Sequence, residues 1–203
     1  MQPTQFILAS ASPRRQQLLT QAGYRFEVVP SAVDEATFEE DGIDSETLCA
    51  RLARAKAAEV AARFPDRLVL GADTVVDDDG HIIGKPADAA HAEAITRRLF
   101  SRPHKVITGI ALVCIAKGIE IVETDITTVY PRQLTDAQIA DHIAGGNWQG
   151  KAGAYGIQET GDAFVERIDG SFTNVMGLPM ERTRRLLTAV GIPLPDTQEN
   201  ASL

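Results

Sequence analysis

Apolar positions along this chain change their period repeatedly, and each change marks an element. "FILA", residues 6 to 9, is a short apolar run that reads as a buried strand. In the following "SPRRQQLLTQAG", Leu18, Leu19 and Ala22 recur at helical spacing. Ser12 fits the N-cap of that helix, Gly23 its stop, and Pro13 its first residue, where a missing N–H costs nothing. A second strand is predicted over 26–30, ahead of the acid-rich loop "SAVDEATFEEDG". From about Ser45 to Phe64 the chain is alanine-rich and free of Gly and Pro, which predicts a helix. "RLVLGADTVV" reads as a buried strand, and "DDDG" as a hairpin turn into "HIIGKP".

Asp88 starts a further helix that ends near Phe100. "HKVITGIALVCIA" and "IEIVETDITTVY" flank Lys117-Gly118 as a long hairpin. Thr135 and Gln138 have capping-box spacing for a helix ending at Gly145-Gly146. A glycine-rich segment, a strand around Phe164 to Ile168, an Asp-Gly turn and a helix from Pro179 to Val190 follow. Strands and helices alternating with hairpins predict an α/β fold with a mixed central sheet flanked by helices. One domain is expected over 1–192, with 193–203, polar and proline-bearing, as a frayed tail.

Composition narrows the partners. Hydrophobic content of 44% over 203 residues is ordinary for a globular chain with room for two lobes around a cleft. A net charge of −8 argues against nucleic acid and anionic membranes, so a polyanionic ligand would need a local cluster of cations. No apolar run approaches the roughly 18 residues of a membrane span. Cys49 and Cys114 form no metal motif and lie in apolar segments, as expected in a reducing cytoplasm.

Two arginines break an electrostatic rule. Arg14 and Arg15 fall in the first turn of a helix, where carboxylates are favoured by about 0.3–1 kcal/mol. They either face solvent and the acidic loop, or bind an anion docked at the helix start, with Ser10 and Ser12 as further donors. Lys56 interrupts the apolar face of its helix, between Leu52 and Val60; it snorkels, or it edges a phosphate site. Asp73 sits within a buried strand behind Gly71 and Ala72, a costly place unless it is paired or bound to a metal. Asp34 and Glu35 could join it around Mg²⁺, whereas Asp77, Asp78 and Asp79 read as turn residues.

"GGNWQGKAGAYGIQ" has Walker-like spacing at Gly145, Gly150 and Lys151. Ala152 stands where a Ser or Thr is needed, and a helix precedes it instead of a strand, so the P-loop reading fails. Tyr155 and Gln158 remain candidates for contact with a base, and an amide suits a pyrimidine edge. The histidines 81, 91, 104 and 142 lack ligand spacing, and Trp148 reads as packing.

"LASASPRRQQLL", "VDE", "LGADTVV", "GKP", "HKVITG", "KAGAYGIQ", "IDGSF" and "VMGLP", in this order, resemble the Maf family of nucleoside triphosphate pyrophosphatases from about residue 6 to 190. The resemblance implies a fold similar to the inosine triphosphate pyrophosphatases, often as a homodimer, with a nucleoside triphosphate substrate. It implies Asp73 as proton acceptor, singles out Glu35, and gives Ser10, Arg14, Arg15, Lys56 and Lys85 as phosphate contacts. For hydrolysis of such a substrate a divalent cation (Mg, Mn or Co) is expected, with Asp73 and Glu35 as its ligands. Arg14, Thr74 and Gln158 occupy the positions that separate subfamilies, and are similar to the dTTP/UTP branch. The branch acting on 7-methyl-GTP carries Trp, Gln and Glu there. Glu159 and Gly150 depart from the common pattern beside the expected base pocket. The alternatives are turnover of 7-methyl-GTP or another modified nucleotide, and a nucleotide-binding regulator of division without turnover.

Overall fold

A computed structural model describes residues 4–38, 40, 42–157 and 164–194. The strands are β1 (Phe6–Leu8), β2 (Phe26–Val28), β3 (Val69–Asp78), β4 (His81–Ile83), β5 (His104–Cys114), β6 (Ile119–Pro131) and β7 (Val165–Asp169). The helices are α1 (Pro13–Gln21), α2 (Ser45–Arg63), α3 (Ala89–Leu99), α4 (Asp136–Ala144), α5 (Phe172–Val175) and α6 (Met180–Ala189). The strands form one sheet in the order β2-β1-β3-β5-β6-β7, with β4 on β3. β1 runs parallel to β2 and β3, and the other pairs are antiparallel. The expected α/β class with a mixed central sheet is the fold observed.

Alternation along the strands builds two cores. Ile7, Val69, Ala111 and Val113 face α2 and pack on Ala53, Ala57 and Val60. Phe6, Leu8, Leu70, Ala72, Ile110 and Leu112 face the opposite side, where α1, α3 and α6 contribute leucines and isoleucines. Gly71 and Gly109 let α2 lie directly on the sheet. A Cβ on Gly71 would stand 2.4 Å from the Ala53 carbonyl oxygen, and one on Gly109 2.3 Å from that of Cys49.

The sheet is split at its centre. β1 pairs with β3 only at Val69 and Leu70, and β4 only from Val76 to Asp78. Between them, Gly71 to Val75 form an edge with no strand partner on that side among the described residues. The chain leaving β1 turns into α1 beside this gap.

Several local expectations change. Ser12 has extended backbone angles, but its side chain makes no cap hydrogen bond; its N–H donates to Ser10 Oγ at 3.3 Å. Only Asp79 and Gly80, with φ of 56° and 82°, make the β3–β4 turn. Asp78 lies at the end of β3, fully buried and ion-paired with Arg98 and Arg102. Those arginines come from α3 and the turn behind it, a reach invisible in the local run of acids. The short helix α5 and a 3₁₀ turn over Glu35–Phe38 lie in segments too brief for a periodic signal. Of the expected tail, 195–203 lies outside the described residues.

Candidate functional site

One cleft of about 880 Å³ collects the described candidates apart from Asp34, which lies outside its lining and accepts at Oδ1 from Ala36 N in its own turn. Its floor is β3, with Asp73 and Thr74. One wall is Ser10 to Arg15 with Val175 to Gly177; the other is α2 with Lys56, the loop bearing Glu35, and Lys85 beyond β4. Gln158, and Glu159 beside it, lie outside the described residues.

Asp73 shares its face of β3 with Gly71, so its carboxylate points toward α2. Lys56 Nζ lies 2.6 Å from Asp73 Oδ1 and 2.7 Å from Glu35 Oε1. Lys85 Nζ stands 4.0 Å from the other Glu35 oxygen. The snorkelling reading of Lys56 is therefore wrong: the side chain turns inward because two carboxylates meet it. Partial burial pushes the Glu35 pKa up, but the hydrogen bond and charge of Lys56, then the charge of Lys85, outweigh this and hold it below the usual value. Burial drives the neighbouring Cys49 thiol up to about 12, helped by the Asp73 charge, so this sulfur is an unreactive packing group.

Arg15 departs from expectation. It is buried, and its guanidinium donates to protein acceptors: Nε to Gly177 O at 2.8 Å, Nη1 to Ala72 O at 2.8 Å and Ser10 Oγ at 3.0 Å, and Nη2 to Thr74 Oγ1 at 3.0 Å. Burial pulls its pKa down while Asp73 opposes the shift; an arginine stays charged regardless. Most of its donors are thus committed within the protein instead of open to phosphate. Thr74 is similarly engaged, since Oγ1 also bonds Thr108 Oγ1 at 2.9 Å. Arg14, half-buried, lines the cleft at the start of α1.

Tyr155 reaches the cleft wall, but its hydroxyl bonds His104 Nε2 at 2.8 Å and the residue is buried. It packs the core instead of presenting a hydroxyl to a base. Lys151, set aside with the rejected P-loop, lies on the cleft rim. Only its place in the fold reveals it. Trp148 packs as expected, its Nε1 donating to Ile143 O at 3.0 Å.

The carboxylates suit a hard divalent cation. Among the described residues no group of three or more His, Cys, Asp or Glu could hold a metal. Asp73 and Glu35 nevertheless converge on one cationic point, filled by the Lys56 ammonium, and two carboxylates with substrate oxygens suffice for Mg²⁺.

The family model described as "Maf-like protein" matches residues 5–190. The chain belongs to the Maf family. It is 45% identical over 186 residues to a dTTP/UTP pyrophosphatase of Koribacter versatilis, covering 92% of this chain and 94% of that one. To the protein of the same name from Symbiobacterium thermophilum it is 45% identical over 190 residues, covering 94% and 96%. A Chromobacterium violaceum relative, also named dTTP/UTP pyrophosphatase, is 43% identical over 198 residues, covering 95% and 98%. Among solved structures, the Ham1 protein of Staphylococcus aureus overlaps 63% of this chain and 72% of its own at 13% identity, with a TM-score of 0.43. An overlap that loose carries no argument about the site.

Proposed function

We propose that this Maf-family chain is a nucleoside triphosphate pyrophosphatase acting on dTTP and UTP. One observation carries the reading. In a chain of net charge −8, a single cleft gathers five cationic side chains around two carboxylates. That arrangement is complementary to a polyphosphate with a reacting centre beside the acids. The names of the relatives supply the choice of pyrimidine nucleotides.

Arg14, Lys85 and Lys151, with the N–H groups opening α1, hold the phosphate chain. Ser10 Oγ accepts from Arg15 Nη1 and Ser12 N, so its own O–H is the group available to donate to a phosphate oxygen. Two of the three Lys56 donors serve Asp73 and Glu35, leaving one for an oxygen at the α-phosphorus. Asp73 orients a water and takes its proton as the water attacks that phosphorus. The bond from the α-phosphorus to the bridging oxygen breaks, pyrophosphate leaves, and nucleoside monophosphate remains. A divalent cation (Mg²⁺, Mn²⁺ or Co²⁺) held by Asp73 and Glu35 would supply charge neutralisation and a lowered pKa for a coordinated water.

The reading extends to free nucleotide as the partner instead of nucleic acid, to the cytoplasm, and to a homodimer as the family resemblance implies. The two buried free cysteines fit a reducing compartment. Among the described residues no helix is long and apolar enough to cross a membrane. The test is a panel of dTTP, UTP and 7-methyl-GTP with each metal, products resolved by chromatography. Pyrimidine monophosphate with pyrophosphate is expected. UTP binding without monophosphate would instead mark a regulator, and preference for 7-methyl-GTP would overturn the substrate assignment.

A further inference from the structure

We propose that Arg15 is a positioning residue, which grips β3 on both sides of Asp73 and latches the Val175–Gly177 wall of the cleft to it, without contacting phosphate. This deepens, and rests on, the pyrophosphatase reading.

The guanidinium joins three segments distant in sequence. Its Nη1 donates to Ala72 O and its Nη2 to Thr74 Oγ1, the residues immediately before and after Asp73. This is the stretch of β3 left without a strand partner by the split between β1 and β4. Arg15 supplies there an N–H that a neighbouring strand would otherwise provide. The Ala72 carbonyl is held at the open edge of β3 and the Thr74 hydroxyl on the face away from α2, while the Asp73 carboxylate between them meets Lys56 on the α2 face.

The second grip is on the cleft wall. Arg15 Nε donates to Gly177 O, and Thr74 Oγ1 lies 3.4 Å from the same oxygen. Gly177 has a φ of 104°, which other residues rarely adopt. Upstream, Asn174 anchors the same turn through Nδ2, which donates to Val106 O and Thr127 Oγ1, each at 3.0 Å. The wall is thus pinned at Asn174 by β5 and β6, and at Gly177 by Arg15. A third contact, Nη1 to Ser10 Oγ, orients the serine hydroxyl toward the cleft.

The experiment compares Arg15→Lys and Arg15→Met with wild type. Hydrolysis of UTP is followed with inorganic pyrophosphate binding by calorimetry and amide hydrogen exchange. A misplaced reacting group is expensive, so kcat is expected to fall by about tenfold or more in both variants. Pyrophosphate affinity should be retained, and amides around Asp73 and Gly177 should exchange faster. Loss of pyrophosphate affinity, or recovery of kcat by lysine, would make Arg15 a phosphate ligand and overturn the proposal. Unchanged kcat below the unfolding transition would reduce it to a stability element and overturn it equally. Should neither variant fold, Thr108→Val removes the hydroxyl bonded to Thr74, with the same loss of kcat expected and an unchanged kcat decisive against the latch. Wild-type protein that releases no monophosphate would refute the pyrophosphatase reading alone, because hydrogen exchange still reports the latch.

Discussion

Lys56 and Asp73 form a buried ion pair, Nζ to Oδ1 at 2.6 Å, with side chains only 11% and 9% exposed. Glu35 completes the arrangement from a 3₁₀ turn, 2.7 Å from the same ammonium. Two acids therefore share one cation at the floor of the cleft. Replacing Asp73 by Asn keeps the shape and one acceptor for Lys56 but removes the base. Turnover of UTP should fall by about 10²–10⁴, with the circular dichroism spectrum unchanged. Activity near wild type would remove Asp73 from the mechanism.

Lys56→Met takes the cation from between the two carboxylates. Breaking a buried pair by deleting one partner costs about 3–5 kcal/mol, less here because Glu35 is partly solvated. A divalent cation can replace the lost charge, so Mn²⁺ should raise the Tm of the variant more than that of wild type. Equal shifts in both proteins would show that these carboxylates do not take the metal.

Gly71→Ala tests how the pair is assembled. The added methyl would meet the Ala53 carbonyl oxygen at 2.4 Å, so α2 must move away from β3. Overpacking of this kind costs about 1–3 kcal/mol, and it also draws Lys56 from Asp73. Stability and kcat should fall together, measured by urea denaturation and UTP hydrolysis. A variant as stable and as active as wild type would contradict the close contact.

Acid should weaken the fold in two separate windows. His104 is buried, its Nδ1 donating to Leu99 O and its Nε2 accepting from Tyr155, and burial holds its pKa below the ordinary 6.5. In the unfolded chain it protonates more readily, so its contribution is intact above about pH 6.5 and is lost as pH falls toward the folded pKa. Glu35, held below 4.5, contributes stability that is present above that pH and disappears as pH falls through its lowered value. Melting curves across pH should show the upper window vanish in His104→Gln while the lower one persists. Tyr155→Phe strands the buried His104 nitrogen and should cost about 1–3 kcal/mol at pH 8.

Much of the architecture is legible in the sequence. The long hairpin of β5 and β6, the alanine-rich helix and the Thr135 capping box rest on local chemistry, and each forms close to where it was expected. Asp78 belongs to β3 and not to the turn its neighbours predict, because its two arginine partners lie 20 and 24 residues ahead, beyond any local turn rule. Tyr155 lines the cleft as a base contact requires, but its hydroxyl is claimed by His104, 51 residues away, which no local pattern reveals.

By itself, the sequence determined the periodicity of the elements, the cations at the start of α1 and the acid within β3, because these depend on neighbours along the chain. Only the tertiary structure decided that Arg15 turns toward Gly177, 162 residues away, and that Lys56 turns to Asp73 and Glu35. The physical reason is hydrogen-bond satisfaction: a buried donor must go where an acceptor is, and distant segments supply it only after the sheet and α2 have packed.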